Sequence, residues 1–163
     1  MTGPFVRRAG AEDLGAIESL LSGSSLPLQG VRDHRQHFFV AVEGTEIIGT
    51  IGLEVYGEEG LLRSLVVGEN HRSRGVGAVL YDRLLSEARE LGIRRLVLLT
   101  TTAERYFTQR GFRRIPRSSI TGSLAGSAEF AGACPATATC MELRIESGHW
   151  GSGGENAGRG DSG

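Results

Sequence analysis

Residues 61–91 read LLRSLVVGENHRSRGVGAVLYDRLLSEAREL. An apolar strand, LLRSLVV, runs into GENHRSRGVG and then into an amphipathic helix. Val76, Val79, Leu80, Leu84, Ala88 and Leu91 recur at steps of three and four and draw one apolar stripe. Asp82, Arg83, Glu87, Arg89 and Glu90 fall mostly off it. Gly92 supplies a left-handed stop. The spacing predicts a helix that starts close to Gly77. Its first amides lack partners inside the helix, and the helix dipole favours an anion there. Gly75 and Gly77 carry no side chain to hold a phosphate away from those amides. Arg72 and Arg74 can add fork-shaped, charge-assisted hydrogen bonds. A strand end, arginines, glycines and free amides together suit the pyrophosphate of a nucleotide-type ligand. The competing reading is a surface turn with two solvated arginines.

Other glycine motifs do not fit. A P-loop requires G-x-x-x-x-G-K-S/T, which is absent from the sequence. The dinucleotide fingerprint needs a third glycine, where Gly75-Val-Gly77-Ala-Val is followed by Leu80. What remains is Arg72-x-x-Gly75-x-Gly77 after a strand.

The flanking sequence supplies further elements. Phe5–Arg8 reads as a short strand and Ala11–Leu21 as a helix, with Leu14, Ile17, Leu20 and Leu21 on one face. His37–Glu43 and Ile47–Val55 read as a hairpin around Gly44. Arg94–Thr101 reads as a buried strand and Ala103–Arg110 as a short helix. Phe112–Pro116 and Thr139–Ile145 close the series.

This order, the Arg72-x-x-Gly75-x-Gly77 motif and the spacing from Ala103 to Gly111-Phe112 resemble the GNAT N-acetyltransferase superfamily over roughly residues 4–146. The resemblance implies an α/β GNAT acyl-CoA N-acyltransferase fold, a mixed central sheet flanked by helices. It implies a domain over residues 1–146, ahead of a glycine- and serine-rich tail at 147–163 expected to be disordered. LLRSLVV, LVLLTTTAERYF and EFAGACPATATCM are further similar to the branch known as arsenic-resistance N-acetyltransferases. The link to arsenic comes from that resemblance alone.

The implied co-substrate is acetyl-CoA, which brings its own thioester, so the protein mainly positions and polarises. In the family the LLRSLVV strand is bulged and splays from its neighbour. Backbone groups of Leu65 and Val67, with Val66 between them, then pair with the pantetheine arm, and an amide there polarises the thioester carbonyl. Carried onto this sequence, the pyrophosphate loop is Arg72, Ser73, Arg74, Gly75, Val76, Gly77 and Ala78. Thr100 stands where the family commonly has asparagine and keeps one hydroxyl for the pantetheine. Many members place a tyrosine four residues before the Gly-Phe pair as proton donor to the leaving thiolate. Here that position is Phe107. Tyr106 precedes it and points elsewhere on the helix, so it does not inherit the role, though it lies within reach of the cofactor.

A small amine acceptor is mostly protonated at neutral pH and attacks only as the free base. Glu54, near the end of an apolar strand, is the candidate proton acceptor; the alternatives are a solvated edge glutamate or a partner for Arg63. Arg63 and Ser64 interrupt an apolar strand, and an arginine is costly to bury alone. Arg63 either holds the carboxylate of an amino-acid-like acceptor, with Ser64 beside it, or pairs with Glu54, or lies on a solvated face. Arg8 and Arg32 are weaker candidates for that contact. Gly23–Arg35 reads as a lid that shapes acceptor choice.

Cys134 and Cys140 read as small core residues; the alternative is a soft-ion site for trivalent arsenic, or a Cys134 near the thioester. His34 and His37 lie three apart and are read as without carboxylate companions, and no metal is expected. Net charge is −1, with 18 basic and 19 acidic side chains, so no bulk attraction to nucleic acid or membrane is indicated. With no apolar run of spanning length and no leader-like start, a cytoplasmic enzyme is expected. Its partner is a small-molecule amine, and a homodimer is admitted. Two other functions fit the same residues: a non-catalytic acyl-CoA or arsenic sensor, and an enzyme acting on protein amines.

Overall fold

A computed structural model of the chain describes residues 4–72 and 74–146. Strands β1 (Phe5–Arg8), β2 (Phe38–Glu43), β3 (Glu46–Tyr56), β4 (Glu59–Val67), β5 (Arg95–Thr100), β6 (Arg113–Arg114) and β7 (Thr139–Arg144) form one sheet in the order β1-β2-β3-β4-β5-β7-β6. Helices α1 (Leu14–Gly23), α2 (Val76–Glu90) and α3 (Glu104–Thr108) flank it. All neighbours are antiparallel except β4 and β5. That mixed seven-stranded sheet is the expected class. The polar tail from residue 147, Trp150 included, lies outside the described residues.

Strand alternation assigns the two faces. Phe39, Ile51, Leu53, Leu62, Leu96 and Leu98 point to the α2 side and form the main core with Leu80 and Leu84. Phe38, Val40, Val42 and Val66 point the other way, under Ile17 and Leu21 of α1. Farther along that second face, Leu61, Val97 and Cys140 are covered by Ile115, Ile120 and Leu124. This last cover comes from residues 115–138, which make short 3-10 turns and one π-type turn (Glu129–Ala133).

The elements match the sequence pattern with instructive departures. The predicted helix at Ala11–Leu21 starts as a 3-10 turn over Ala11–Asp13 and becomes α-helical only at Leu14. Asp13 explains the break: its carboxylate binds Arg7 at 2.7 and 3.1 Å and accepts from the Gly10 amide at 2.6 Å. The strand predicted at Phe112–Pro116 shrinks to Arg113–Arg114, because Phe112 turns into the α2 core instead. On α2 the stripe is rotated: Val79 and Leu91 are exposed, whereas Tyr81 and Glu87 are buried. Glu87 is tolerated there because Arg8 (2.9 and 3.1 Å), His37 (3.1 Å) and Arg83 (3.6 Å) surround it. Arg8 and Arg83 also lie over the Phe39 ring, at 5.2 and 4.4 Å from its centre. These contacts fasten α2 to the first two strands. The hydrogen bond from Arg8 holds the Glu87 carboxyl below the usual range.

Candidate active site

The site begins where β4 and β5 part. They pair only from Glu59–Leu61 to Arg95–Val97, although β4 runs on to Val67 and β5 to Thr100. The parting coincides with a bulge against β3. Thr50 faces Val66 and Gly52 faces Arg63, so Ile51 alone stands opposite both Ser64 and Leu65. Ser64 takes up the extra residue with φ 62°, a left-handed conformation that costs a non-glycine residue about 1–2 kcal/mol. Beyond the bulge the Gly68 amide bonds the Ile48 carbonyl at 2.7 Å. By alternation the main-chain groups of Val66 face β3 as well, and those of Leu65 and Val67 face the open edge. Their side chains pack against the α2 core.

A cavity of about 710 Å³ fills the gap. One wall is β4, with Leu62, Arg63, Ser64, Leu65, Val66 and Val67. The mouth of α2 forms another, with Gly75, Val76, Gly77 and Ala78. Thr100 and Tyr106 line the β5–α3 side, and Ser24 and Leu26 close the far end.

Gly75 caps α2 with φ 81°, and no side chain caps the helix. Its first internal bond runs from the Val79 amide to the Gly75 carbonyl at 3.2 Å, so the preceding amides have no helical partner. The Tyr106 hydroxyl is buried without a hydrogen bond, as is Arg110 Nε in the same wall. Arg110 stacks on both Tyr106 and Tyr81, at 4.5 and 4.9 Å. Open amides, a glycine-lined helix mouth, two orphaned donors and a free strand edge make a donor-rich, elongated slot. It fits an extended ligand with a diphosphate at one end and amide groups along its length.

The two loop arginines are less direct. Arg72 lines the cavity, and its Nε donates to the Val67 carbonyl at 2.9 Å. Arg74 is not among the lining residues; Glu43 holds it at 2.6 Å, with His71 at 2.9 Å. Ser73 lies outside the described residues. Thr100 Oγ accepts from the Ala103 and Thr102 amides at 2.9 and 3.3 Å and so holds the turn that leads into α3. Only its hydroxyl proton remains for a ligand. Phe107, at the family's tyrosine position, is buried in the core.

Glu54 and Arg63 are almost wholly buried and paired at 2.7 Å. This is the ion pair left open from the sequence. Glu54 also accepts a very short hydrogen bond from the Tyr56 hydroxyl, and His34 Nε2 stands 3.6 Å away. Glu54 is therefore not a solvated edge residue, and it is not among the cavity-lining side chains. Arg63 donates to the Gln29 carbonyl (2.5 Å), the Pro27 carbonyl (3.0 Å) and Ser64 Oγ (3.0 Å). A second buried carboxylate, Glu129, lies 3.5 Å from its Nε. Burial pushes the Glu129 carboxyl above the usual range, and it accepts from the Cys134 thiol. Glu129, Tyr56 and His34 were not singled out from the sequence for this role. Glu129 stands as a lone acid in the apolar run at 128–134, a signal that a buried counter-charge must meet it. His34 and His37 do have carboxylate companions, Glu54 and Glu87, brought from distant strands and helices. Arg8 is taken by Glu87, and Arg32 by Glu18 at 3.1 Å.

Cys134 and Cys140 are free and buried. Burial, with Glu129 beside it, pushes the Cys134 thiol up to about 12, and burial raises Cys140 too. Thiols so disposed are poor nucleophiles and poor soft-ion ligands, both of which require thiolate. No group of three metal-ligating side chains occurs among the described residues. The double change Cys134→Ala, Cys140→Ala is expected to leave turnover within about twofold of wild type and to lower stability by about 1–2 kcal/mol; steady-state kinetics and thermal melts check it.

A model of the Acetyltransferase (GNAT) family matches residues 11–112. The chain belongs to the GNAT acetyltransferase family. The amino-acid acetyltransferase of Mycobacterium tuberculosis is 30% identical over 131 residues, which covers 74% of this chain and 75% of that protein. That of Photorhabdus laumondii is 34% identical over 118 residues, 66% of this chain, but the chain spans only 26% of its length. Among solved structures, Rv2747 from Mycobacterium tuberculosis, in complex with CoA and NLQ, superposes with a TM-score of 0.74 at 25% identity, over 87% of this chain and 99% of that one. N-acetylglutamate synthase from Neisseria gonorrhoeae, complexed with coenzyme A and N-acetyl-glutamate, shares the fold at 20% identity, with a TM-score of 0.76 over 90% of this chain and 36% of that one. No helix among the described residues is long and apolar enough to cross a membrane.

Proposed function

We propose that this chain transfers the acetyl group of acetyl-CoA to the primary amine of a small, amino-acid-like acceptor. The observation that carries the reading is the gap between β4 and β5, open at the uncapped mouth of α2 and lined by the free edge of a bulged strand. The names of the relatives, amino-acid acetyltransferases, support an amino-acid acceptor. The helix mouth and Arg72 receive the diphosphate, the Leu65 and Val67 main chain aligns the pantetheine, and the Tyr106 hydroxyl satisfies its orphaned donor on the ligand. An amide at the bulge polarises the thioester carbonyl. The amine attacks directly in a ternary complex, consistent with buried cysteines whose thiols stay protonated. A narrower form of the reading, an arsenic-containing amino-acid analogue as acceptor, rests on the EFAGACPATATCM and LVLLTTTAERYF runs.

Incubation with acetyl-CoA and a panel of amino acids, with free thiol measured, tests the proposal. Binding of CoA without thiol release from any amine rejects acetyl transfer in favour of a sensor. Activity on peptides alone rejects the small acceptor.

Glu54→Gln separates proton abstraction from ion pairing. With both Glu54 oxygens engaged, we expect a stability loss on the order of 1–3 kcal/mol, the worth of a hydrogen bond to a charged group. The shape of the rate–pH profile should stay unchanged, with the amine proton passing to water. A flattened profile with normal stability makes Glu54 the base.

A further inference from the structure

We propose that Arg63 is a positioning residue that ties the acceptor lid to the thioester-polarising bulge, so that the two ends of the cavity are set by one guanidinium. The inference rests on the acetyl-transfer reading of the cavity and assigns Arg63 a role other than contact with the acceptor.

The geometry has three parts. First, Arg63 Nε donates to Ser64 Oγ at 3.0 Å. Ser64 is the left-handed residue of the bulge, and its conformation frees the Leu65 edge. Second, the other end of the guanidinium donates to the Gln29 and Pro27 carbonyls at 2.5 and 3.0 Å. The adjoining lid residues Ser24 and Leu26 line the same cavity as the bulge. Third, Glu54 at 2.7 Å and Glu129 at 3.5 Å fix the guanidinium between β3 and the 115–138 cover. These acceptors engage four of its five N–H groups inside the protein, and its side chain has no exposed surface.

Gly30 fits the same picture from the lid. It has φ 87°, and a Cβ there would lie 2.9 Å from Arg63 Nη1 and 3.2 Å from Glu54 Oε2. The lid main chain can approach the ion pair this closely only without a side chain. A lid residue and a strand residue thus depend on one contact. Displacing the lid withdraws two acceptors from Arg63, and moving Arg63 withdraws the support of the Ser64 conformation. By linkage, whatever holds the lid closed also favours the bulge, and the reverse.

Arg63→Lys and Gly30→Ala test the tether from its two sides. Lysine keeps the charge beside Glu54 but cannot span the forked set of acceptors. Hydrogen exchange is followed in peptides covering residues 24–31 and 62–66, with and without CoA. Both variants should speed exchange in both segments together. With acetyl-CoA and amino acids, the acceptor KM should rise about tenfold, equivalent to 1.4 kcal/mol, with a fall in kcat. The preference for an amino acid over the corresponding amine without its carboxylate should not change. Loss of that preference in Arg63→Lys, with lid exchange as in wild type, overturns the proposal and makes Arg63 the acceptor's carboxylate ligand. Faster lid exchange with an unaltered 62–66 segment also overturns it, leaving a lid anchor without coupling. If the wild type binds CoA but releases no thiol with any amine, the acetyl-transfer reading fails. The exchange arm still decides the tether.

Discussion

Gly75→Asp is expected to abolish measurable CoA binding, a loss of at least about 100-fold or 2.7 kcal/mol, while the chain still folds. Two effects act in the same direction. Gly75 sits at φ 81°, where a side chain adds about 1–2 kcal/mol of backbone strain, and relief of that strain would pull the first amides of α2 out of line. The second effect is electrostatic. A carboxylate at the helix mouth occupies the field that the dipole offers to a phosphate and repels the diphosphate itself. Space is not the issue, since a Cβ at Gly75 meets nothing within 4 Å. Gly75→Ala therefore isolates the strain, with an expected loss of only about tenfold for 1.4 kcal/mol. The gap between the two variants should narrow at high salt as the charge is screened. Calorimetric titration with CoA, backed by circular dichroism, measures both. Equal affinity for all three proteins would move the diphosphate away from α2.

The helix mouth was legible in the sequence because its signals are local. Gly75, Gly77 and the three-four spacing of Val76, Leu80, Leu84 and Ala88 each act within a turn or two of themselves. The strands β1 to β5 were legible for the same reason. The rotation of the α2 stripe was not. Val79 and Glu87 exchange places with expectation because Arg8 and His37, from two other elements, and Arg83, one turn back on α2, neutralise Glu87 on the buried side. Hydrophobicity alone cannot place a carboxylate whose strongest partner, Arg8, is 79 residues away in the chain.

The acceptor side was legible only as a set of alternatives. An arginine inside LLRSLVV announces that some carboxylate must meet it, and the nearest plausible one, Glu54, does. The second, Glu129, stands in the sequence as a lone acid in the run at 128–134, but nothing local to it points to Arg63. It arrives in a π-type turn of a segment with little regular structure, whose path is set by the core residues Ile115, Ile120 and Leu124 beneath it. The lid carbonyls of Pro27 and Gln29 are invisible for a simpler reason: every residue has a carbonyl. Which of them accepts a hydrogen bond is decided by the fold. The bulge at Ser64, expected from family resemblance, has no local signature either, since serine is an unusual choice for a left-handed position.

Arg63→Met is expected to lower stability by about 3–5 kcal/mol, because it leaves two buried carboxylates without their shared counter-charge. For a chain of this size that is roughly 10 °C or more in Tm. The loss must depend on pH, and its sign is fixed. Burial already raises the Glu129 carboxyl with Arg63 beside it. Without the guanidinium, which opposes that shift, Glu129 would bind its proton still more tightly in the folded than in the unfolded chain. A group raised in this way contributes stability below its unfolded value near 4.5, and that contribution is lost as pH rises through its folded value. Arg63→Met should therefore be least destabilised near pH 5 and most at pH 8. Denaturant melts at the two values measure the difference. Changing the carboxylates with the arginine reverses the effect. In Arg63→Met, Glu54→Leu, Glu129→Gln, no buried charge is left alone, and stability should recover to within about 1–2 kcal/mol of wild type. Recovery of stability without recovery of turnover shows that the charges are dispensable for folding while the reaction needs this cluster, and turnover retained in Glu54→Gln then assigns that need to the forked contacts of Arg63. A triple variant as unstable as the single one would mean that packing of the Arg63 stem over Phe38, 5.9 Å from the guanidinium carbon to the ring centre, outweighs its charge.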